Sequence, residues 1–366
     1  MDERFIINDN RTIKNFKEKT FSGFKKNEVI NTVLKSIEGK KIENACNWTT
    51  ECILSGYSLI LWEKLLNFSS KIIHINNPHI PYYLFRKNKI FMNQIERLQT
   101  KSKDKYLLLR NSQMIRNLFF DVVTTLSTSS KTKRYDKYPK MDDNEDFKFM
   151  NIQKRLCAPM NILPENIIHF NDPNEIRIII NEIFHSLKNK QYGYDKCCFW
   201  ILWLIRYEEL NKKKKYPFNI DERDIEGVPK KYQGNIVWVF WETILEEMKL
   251  RKNKNITKHI TALYELYKCN YSIGKRKKRI PILLNAVGYL THTIHFQIPL
   301  RNNFPLFIQV QSNVNKMFGL KKINEIKTKS FDSFPEKPPK KENINVEIVQ
   351  DKLSIFNEVD KIISNQ

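Results

Sequence analysis

The side chains best suited to chemistry in this chain are cationic. Lys275, Arg276, Lys277, Lys278 and Arg279 are five successive positive residues, and Lys212, Lys213, Lys214 and Lys215 form an earlier run. Lys131, Lys133 and Arg134 make a third, looser cluster, with Lys230 and Lys231 and the lysines of residues 249–258 between the larger ones. Long cationic side chains at loops and helix ends reach phosphate oxygens, and a helix start adds free N–H donors. Each run alone reads as solvated surface. Their sum reads differently: 63 Lys and Arg against 40 Asp and Glu give a net charge of +23, a field that draws polyanions. Nucleic acid, DNA or RNA, is the expected partner. The sequence carries neither a zinc-finger spacing nor a clearly spaced helix-turn-helix, so the contacts expected are to phosphates, with little base preference.

Other chemistry has weaker support. His292 and His295 are an i,i+3 pair that could share a metal on one helix face, but no Cys or carboxylate accompanies them, so packing is the plainer reading. Asp142, Asp143, Glu145 and Asp146 fall in a polar stretch read as a loop; a two-metal hydrolytic site would require the fold to bring carboxylates together. The phosphate-loop, dinucleotide, zinc-protease and nucleophile-elbow patterns are absent, and no cofactor or metal is expected. The six cysteines include no C-x-x-C pair, and the four on apolar helical faces read as small buried hydrophobes, so reduced thiols are expected. The start lacks the apolar core of a secretion signal, and no run of about 18 apolar residues suggests a membrane span.

The elements that must position these residues read as helices. Only nine glycines in 366 residues leave little material for hairpins and bulges. Residues 43–68 are the longest apolar stripe, with Ala45, Trp48, Cys52, Leu59, Trp62, Leu65 and Leu66 at helical spacing and Ser55-Gly56 expected to bend or break it. A helix over 27–37, stopped by Gly39, precedes it, and helices over 82–98 and 106–126 follow. After a polar stretch, a helix is expected from Asn171 or Asp172 as cap, with Pro173 in its first turn. Further apolar helices cover 198–204, 235–245, 259–267 and 280–291.

Asp195, Cys198 and Trp200 repeat the acid-x-x-Cys-x-Trp spacing of Glu43, Cys46 and Trp48, which suggests a hairpin used twice with a two-residue insertion. The six tryptophans fall in pairs within three apolar segments, 48 and 62, 200 and 203, 238 and 241, and are expected in the core rather than stacked on bases. The fold expected is mainly α, a large body of packed helical hairpins in two similar lobes. The segments are a basic N-terminal arm (1–26), a first helical lobe (27–126), a polar linker or loop (127–157) and a second lobe (158–327). A flexible basic linker (328–345) and an amphipathic C-terminal helix (346–366) end the chain. Val349, Leu353, Phe356, Val359 and Ile363 give that last helix an apolar side, to be buried on this chain or on a partner.

Residues 43–66, with Trp48, Glu51, Ser55-Gly56 and Leu61-Trp62, together with residues 275–291, resemble a family of uncharacterised helical proteins of giant nucleocytoplasmic large DNA viruses. The likeness covers residues 25–295, and the Lys-, Asn- and Ile-rich composition fits such AT-rich genomes. The resemblance implies a viral origin and a place in the host-cell cytoplasm, at the viral factory, or in the virion, and it transfers no catalytic residue. Residues 275–279 also read as a nuclear-import signal, which keeps the host nucleus in view. The function expected is a non-enzymatic basic protein that binds nucleic acid and viral partner proteins, the latter through the C-terminal helix. It would serve replication, transcription or packaging, or be an internal or minor virion component. The alternative is a nucleic-acid-processing enzyme whose acidic site is assembled only by the fold.

Overall fold

With apolar residues at helical spacing and few glycines, the backbone satisfies its polar groups within helices, and among the described residues no strand forms beyond one isolated bridge between Lys19 and Lys25. The structure, a computed structural model, describes residues 3–98, 104–132, 141–159 and 162–326. In chain order the helices are α1 (Lys26–Glu38), α2 (Ile42–Leu54), α3 (Ser58–Phe68), α4 (Ile80–Glu96), α5 (Lys105–Leu108), α6 (Gln113–Thr128) and α7 (Phe149–Arg155). They continue as α8 (Asn174–Lys188), α9 (Gly193–Lys214), α10 (Ile236–Arg251), α11 (Lys254–Lys268), α12 (Ile273–Thr291), α13 (Phe304–Ser312) and α14 (Val314–Lys321). The protein is thus mainly α, a body of packed helical hairpins. Its described residues divide into two units of interleaved segments: one comprises those up to 68, those from 86 to 130 and those from 300 to 326, the other those of 69–85 and of 131–299. The single cut at 127–157 drawn from composition assigns residues 69–85 and 300–327 differently, because periodicity carries no information on pairing across long separations. The linker 328–345 and the helix 346–366 lie outside the described residues.

In the first unit α2 is buried on nearly every side, with Glu43, Asn47 and Glu51 enclosed beside its apolar residues, and it packs on α1 and α6. The break falls at Ser55-Gly56, where the Ser55 hydroxyl donates back to the Glu51 carbonyl and accepts from the Phe21 amide at 2.8 Å. Trp48 is fully buried and meets Phe24 edge-on at 5.2 Å; the Trp62 indole donates to Asn88 Oδ1 at 2.8 Å between Phe91 and Phe119. Residues 3–25, within the segment read as a basic arm, bury Ile7, Phe16, Phe21 and Phe24. Tyr57 secures them by donating to the Phe16 carbonyl, and the fully buried Arg116 donates to the Phe5 carbonyl at 2.8 Å while lying 4.0 Å from the Phe318 ring. Polar bonds add to that docking, since the Ile7 and Ile13 amides donate to Asn111 and Asp104 and Ser22 donates to Glu51, while Lys14, Lys17, Lys19 and Lys25 stay exposed. The expected helix over 106–126 is interrupted at 109–112, since the Ser112 hydroxyl caps a new start by accepting from Ile115.

In the second unit α10 is the buried centre, carrying Trp238 and Trp241 at or below 1% exposure and packing on α8, α11 and α12. The α8–α9 hairpin closes tightly at Gly193: a Cβ there would stand 2.1 Å from the Ser186 carbonyl oxygen, so only glycine permits the approach. Arg251 joins three helices by donating to Glu247 at 2.8 Å, to the Leu187 carbonyl at 2.6 Å and to the Leu290 carbonyl. Asp172 does not cap α8. Its carboxylate is buried against Arg223 at 2.5 Å and accepts the His169 and Asp221 amides, so α8 starts at Asn174 with Pro173 before it. Burial alone would raise the Asp172 carboxyl; these bonds more than offset it and hold the group below its usual range.

Candidate nucleic-acid interface

The sequence of α9 changes character along its length. Cys197, Trp200, Ile201, Leu204 and Ile205 bury the first part, and from Glu208 onward the helix turns polar and ends in lysines. Lys212, Lys213 and Lys214 fill its last turn, where cations suit the helix dipole, and Lys215 closes it at φ 60°. The Tyr216 amide returns to the Asn211 carbonyl at 2.9 Å. All four lysines are exposed.

The run of residues 275–279 lies at a helix end, in the opening turns of α12. Ser272 before it makes no side-chain cap, and the first turn contains no acid. Cations at a helix N-terminus oppose the dipole at a cost of about 0.3–1 kcal/mol each at the surface, so helix stability does not account for them. Of the run, Arg276 is held by a buried carboxylate on α9. Glu208, 3% exposed, receives Lys212 Nζ at 2.9 Å on one oxygen and Arg276 on the other. Arg276 also approaches Asn235 Oδ1 at 3.3 Å, the atom that caps α10 by accepting the Val237 amide. Lys275 donates to the Asn270 carbonyl at 2.9 Å, and the next residue, Tyr271, meets Tyr232 edge-on at 6.1 Å. Tyr232 closes the turn that carries Lys230 and Lys231, both exposed. Burial pushes the Tyr271 hydroxyl up to about 12, with Arg276 and Arg279 pulling the other way, so it stays protonated at neutral pH. Three basic runs therefore gather at one corner of the second unit.

The members of those runs differ in what they can do. Lys277 and Lys278 are exposed, and Lys275 and Arg276 are half-buried at the edge. Arg279 is 2% exposed and donates to the Tyr267 and Cys269 carbonyls, which closes the end of α11. It is a structural residue and leaves the expected phosphate-facing set, because its position turns it onto the α11–α12 contact. Lys131 is half-buried beside Thr132, whose amide donates to the Ile72 carbonyl at 2.8 Å. Ile72 lies two residues before His74, which packs on Gly288, and Gly288 is about 16 Å along α12 from Lys277 at the usual rise per residue. Lys131 thus belongs to the other end of α12. Lys133 and Arg134 lie outside the described residues.

The remaining chemical candidates have structural partners. His292 follows the last residue of α12, so it and His295 do not share a helix face; His292 stacks on Tyr194 at 4.9 Å. Asp143 pairs with Arg206 at 2.5 Å, Glu145 with Lys148 at 2.6 Å and Asp146 with Arg155 at 3.4 Å, a laced surface turn rather than a convergent set. Among the described residues no three His, Cys, Asp or Glu side chains are grouped to hold a metal, and no helix is long and apolar enough to cross a membrane. No family model, curated protein or solved structure matches the chain.

Glu208 and Asn235, which organise the corner, were not singled out from sequence. Signals for both exist: Glu208 and Lys212 have the helical i,i+4 spacing of an ion pair, and Asn235 directly precedes an apolar helix as a cap should.

Proposed function

We propose that this protein binds nucleic acid through phosphate contacts at the corner made by Lys212, Lys213, Lys214, Lys215, Lys230, Lys231, Lys277 and Lys278, acting as a binding protein rather than a catalyst. One observation carries the reading: the two longest basic runs, distant in sequence, meet at Glu208, and lysines with no stabilising role in α12 point into solvent there. The net charge of +23 supports it by concentrating polyanions at the surface. The likeness of residues 43–66 and 275–291 to the giant-virus family supports a setting in the cytoplasmic factory or the particle of such a virus. Viral proteins are the further partners proposed, reached through residues 346–366.

The test is a salt titration of the full-length protein on two unrelated duplexes, with the wild type and a variant carrying Lys277→Gln and Lys278→Gln. Arg279 is left in place because it supports the fold. The variant should bind both duplexes more weakly and to the same degree. Its log–log salt dependence should flatten by about 1.8, at roughly 0.9 per lost phosphate contact. Unchanged affinity and slope would remove this corner as the contact surface.

A further inference from the structure

We infer that the occupant of this corner is an unpaired strand, with Tyr216 as a stacking platform for a base; the inference rests on the phosphate-binding reading above. Tyr216 directly follows the lysine run and is 61% exposed, while everything around its backbone is fixed. Lys215 takes the left-handed conformation at φ 60°, the Tyr216 amide is bonded to the Asn211 carbonyl, Pro217 restricts the next torsion, and Phe218 is buried edge-on against Tyr207 at 5.7 Å. A large ring is thus presented on a rigid mount beside four cations.

Two further apolar surfaces interleave with the charge. Tyr232 is half-exposed with Lys231 Nζ 5.0 Å from its ring centroid, and Ile273, the first residue of α12, is 51% exposed directly ahead of the cationic run. Lysines alone favour a duplex, whose phosphates are denser along its axis. An aromatic face among the lysines reverses that order, because an unpaired strand offers base faces that a duplex keeps in its own stack. The ring does not read an edge, so any base serves.

The experiment is fluorescence anisotropy at fixed salt with the full-length protein. The probes are a 16-nucleotide oligo-dT, an oligo-rU of the same length and a 16-base-pair DNA duplex, and the proteins are wild type, Tyr216→Ala, Tyr216→Phe and the Lys277→Gln, Lys278→Gln variant. Wild type should bind the better of the two single strands more tightly than the duplex, and the DNA and RNA arms identify which. Tyr216→Ala should weaken single-strand binding by about fivefold to a hundredfold, leave duplex binding unchanged, and keep the wild-type melting temperature; Tyr216→Phe should bind as wild type. The inference is overturned if Tyr216→Ala leaves single-strand binding intact, or weakens strand and duplex equally, or if wild type prefers the duplex. Those results leave the phosphate reading standing as long as the double lysine variant weakens every probe. If that variant binds all three as wild type does, the phosphate reading itself fails.

Discussion

Arg276, in the opening turn of α12, donates to the carboxylate of Glu208 on α9, and Lys212 donates to the other oxygen of the same group at 2.9 Å. Glu208 is nearly buried, so it has left water to hold two cations from two helices, and its desolvation is offset by both pairs. The joint keeps two lysine-rich helix ends together that would otherwise repel.

Replacing Glu208 by Gln should therefore cost stability and not binding. Removing one partner of a buried pair leaves charge without a counterion, at a cost of about 3 kcal/mol. Urea unfolding should register that loss, while affinity for nucleic acid at a temperature where the variant is folded should hold or rise, since Arg276 and Lys212 are released. A fall in affinity larger than the fall in folded fraction would mean that Glu208 acts in recognition.

Gly288 faces the His74 ring so closely that an added Cβ would stand 2.3 Å from His74 Cε1, and His74 is itself buried at φ 49°. Gly288→Ala should destabilise the protein by about 1–3 kcal/mol through overpacking. In a His74→Ala background the same substitution should cost far less, because the obstructing ring is gone. Equal costs in the two backgrounds, read by chemical denaturation, would show that the glycine is kept for a different reason.

His259 predicts a pH dependence. Its Nδ1–H donates to the Asn255 carbonyl at 2.8 Å, Nε2 is buried without a hydrogen-bond partner, and the ring stacks on Tyr289 at 5.7 Å. Burial, aided by His79 and Lys258, pulls the imidazole from its ordinary 6.5 down to about 4. Between those values the unfolded chain binds the proton and the native state does not, so stability rises with pH across the window. The contribution is complete above about 6.5 and is lost as pH falls to about 4, amounting to about 3 kcal/mol. His259→Asn, which keeps a donor for Asn255, should flatten unfolding free energy against pH over that interval; an unaltered slope would assign the dependence to other groups.

Trp48 and Trp200 are buried to within 1% in different units. Truncation of either to Ala should cost about 3–5 kcal/mol, since each leaves a large cavity in a dense core. Denaturant midpoints measure it, and a cost below 1 kcal/mol would mean that the surrounding helices collapse freely into the space.

What the amino-acid pattern determined by itself was helical content and the core. Trp48, Trp62, Trp200, Trp203, Trp238 and Trp241 are all buried, as their apolar neighbours at helical spacing require, and the break at Ser55-Gly56 falls where a small pair sits inside an apolar run. Both properties depend on residues within a few turns of one another. Caps were not decided by sequence, because Asp172 has a carboxylate suited to a helix start and yields it to Arg223, a residue 51 positions away.

Only the tertiary structure decided which cations share a surface. Residues 275–279 are uniform as text, yet a helix turns successive side chains by about 100°. Lys277 and Lys278 therefore face solvent while Arg279 is directed into the α11–α12 contact and Arg276 toward Glu208. The docking of residues 3–25 and the pairing of Glu208 with Arg276 were likewise beyond local pattern. They depend on contacts between distant segments, and a charge or an aromatic ring reveals its role only once the fold has chosen its neighbour.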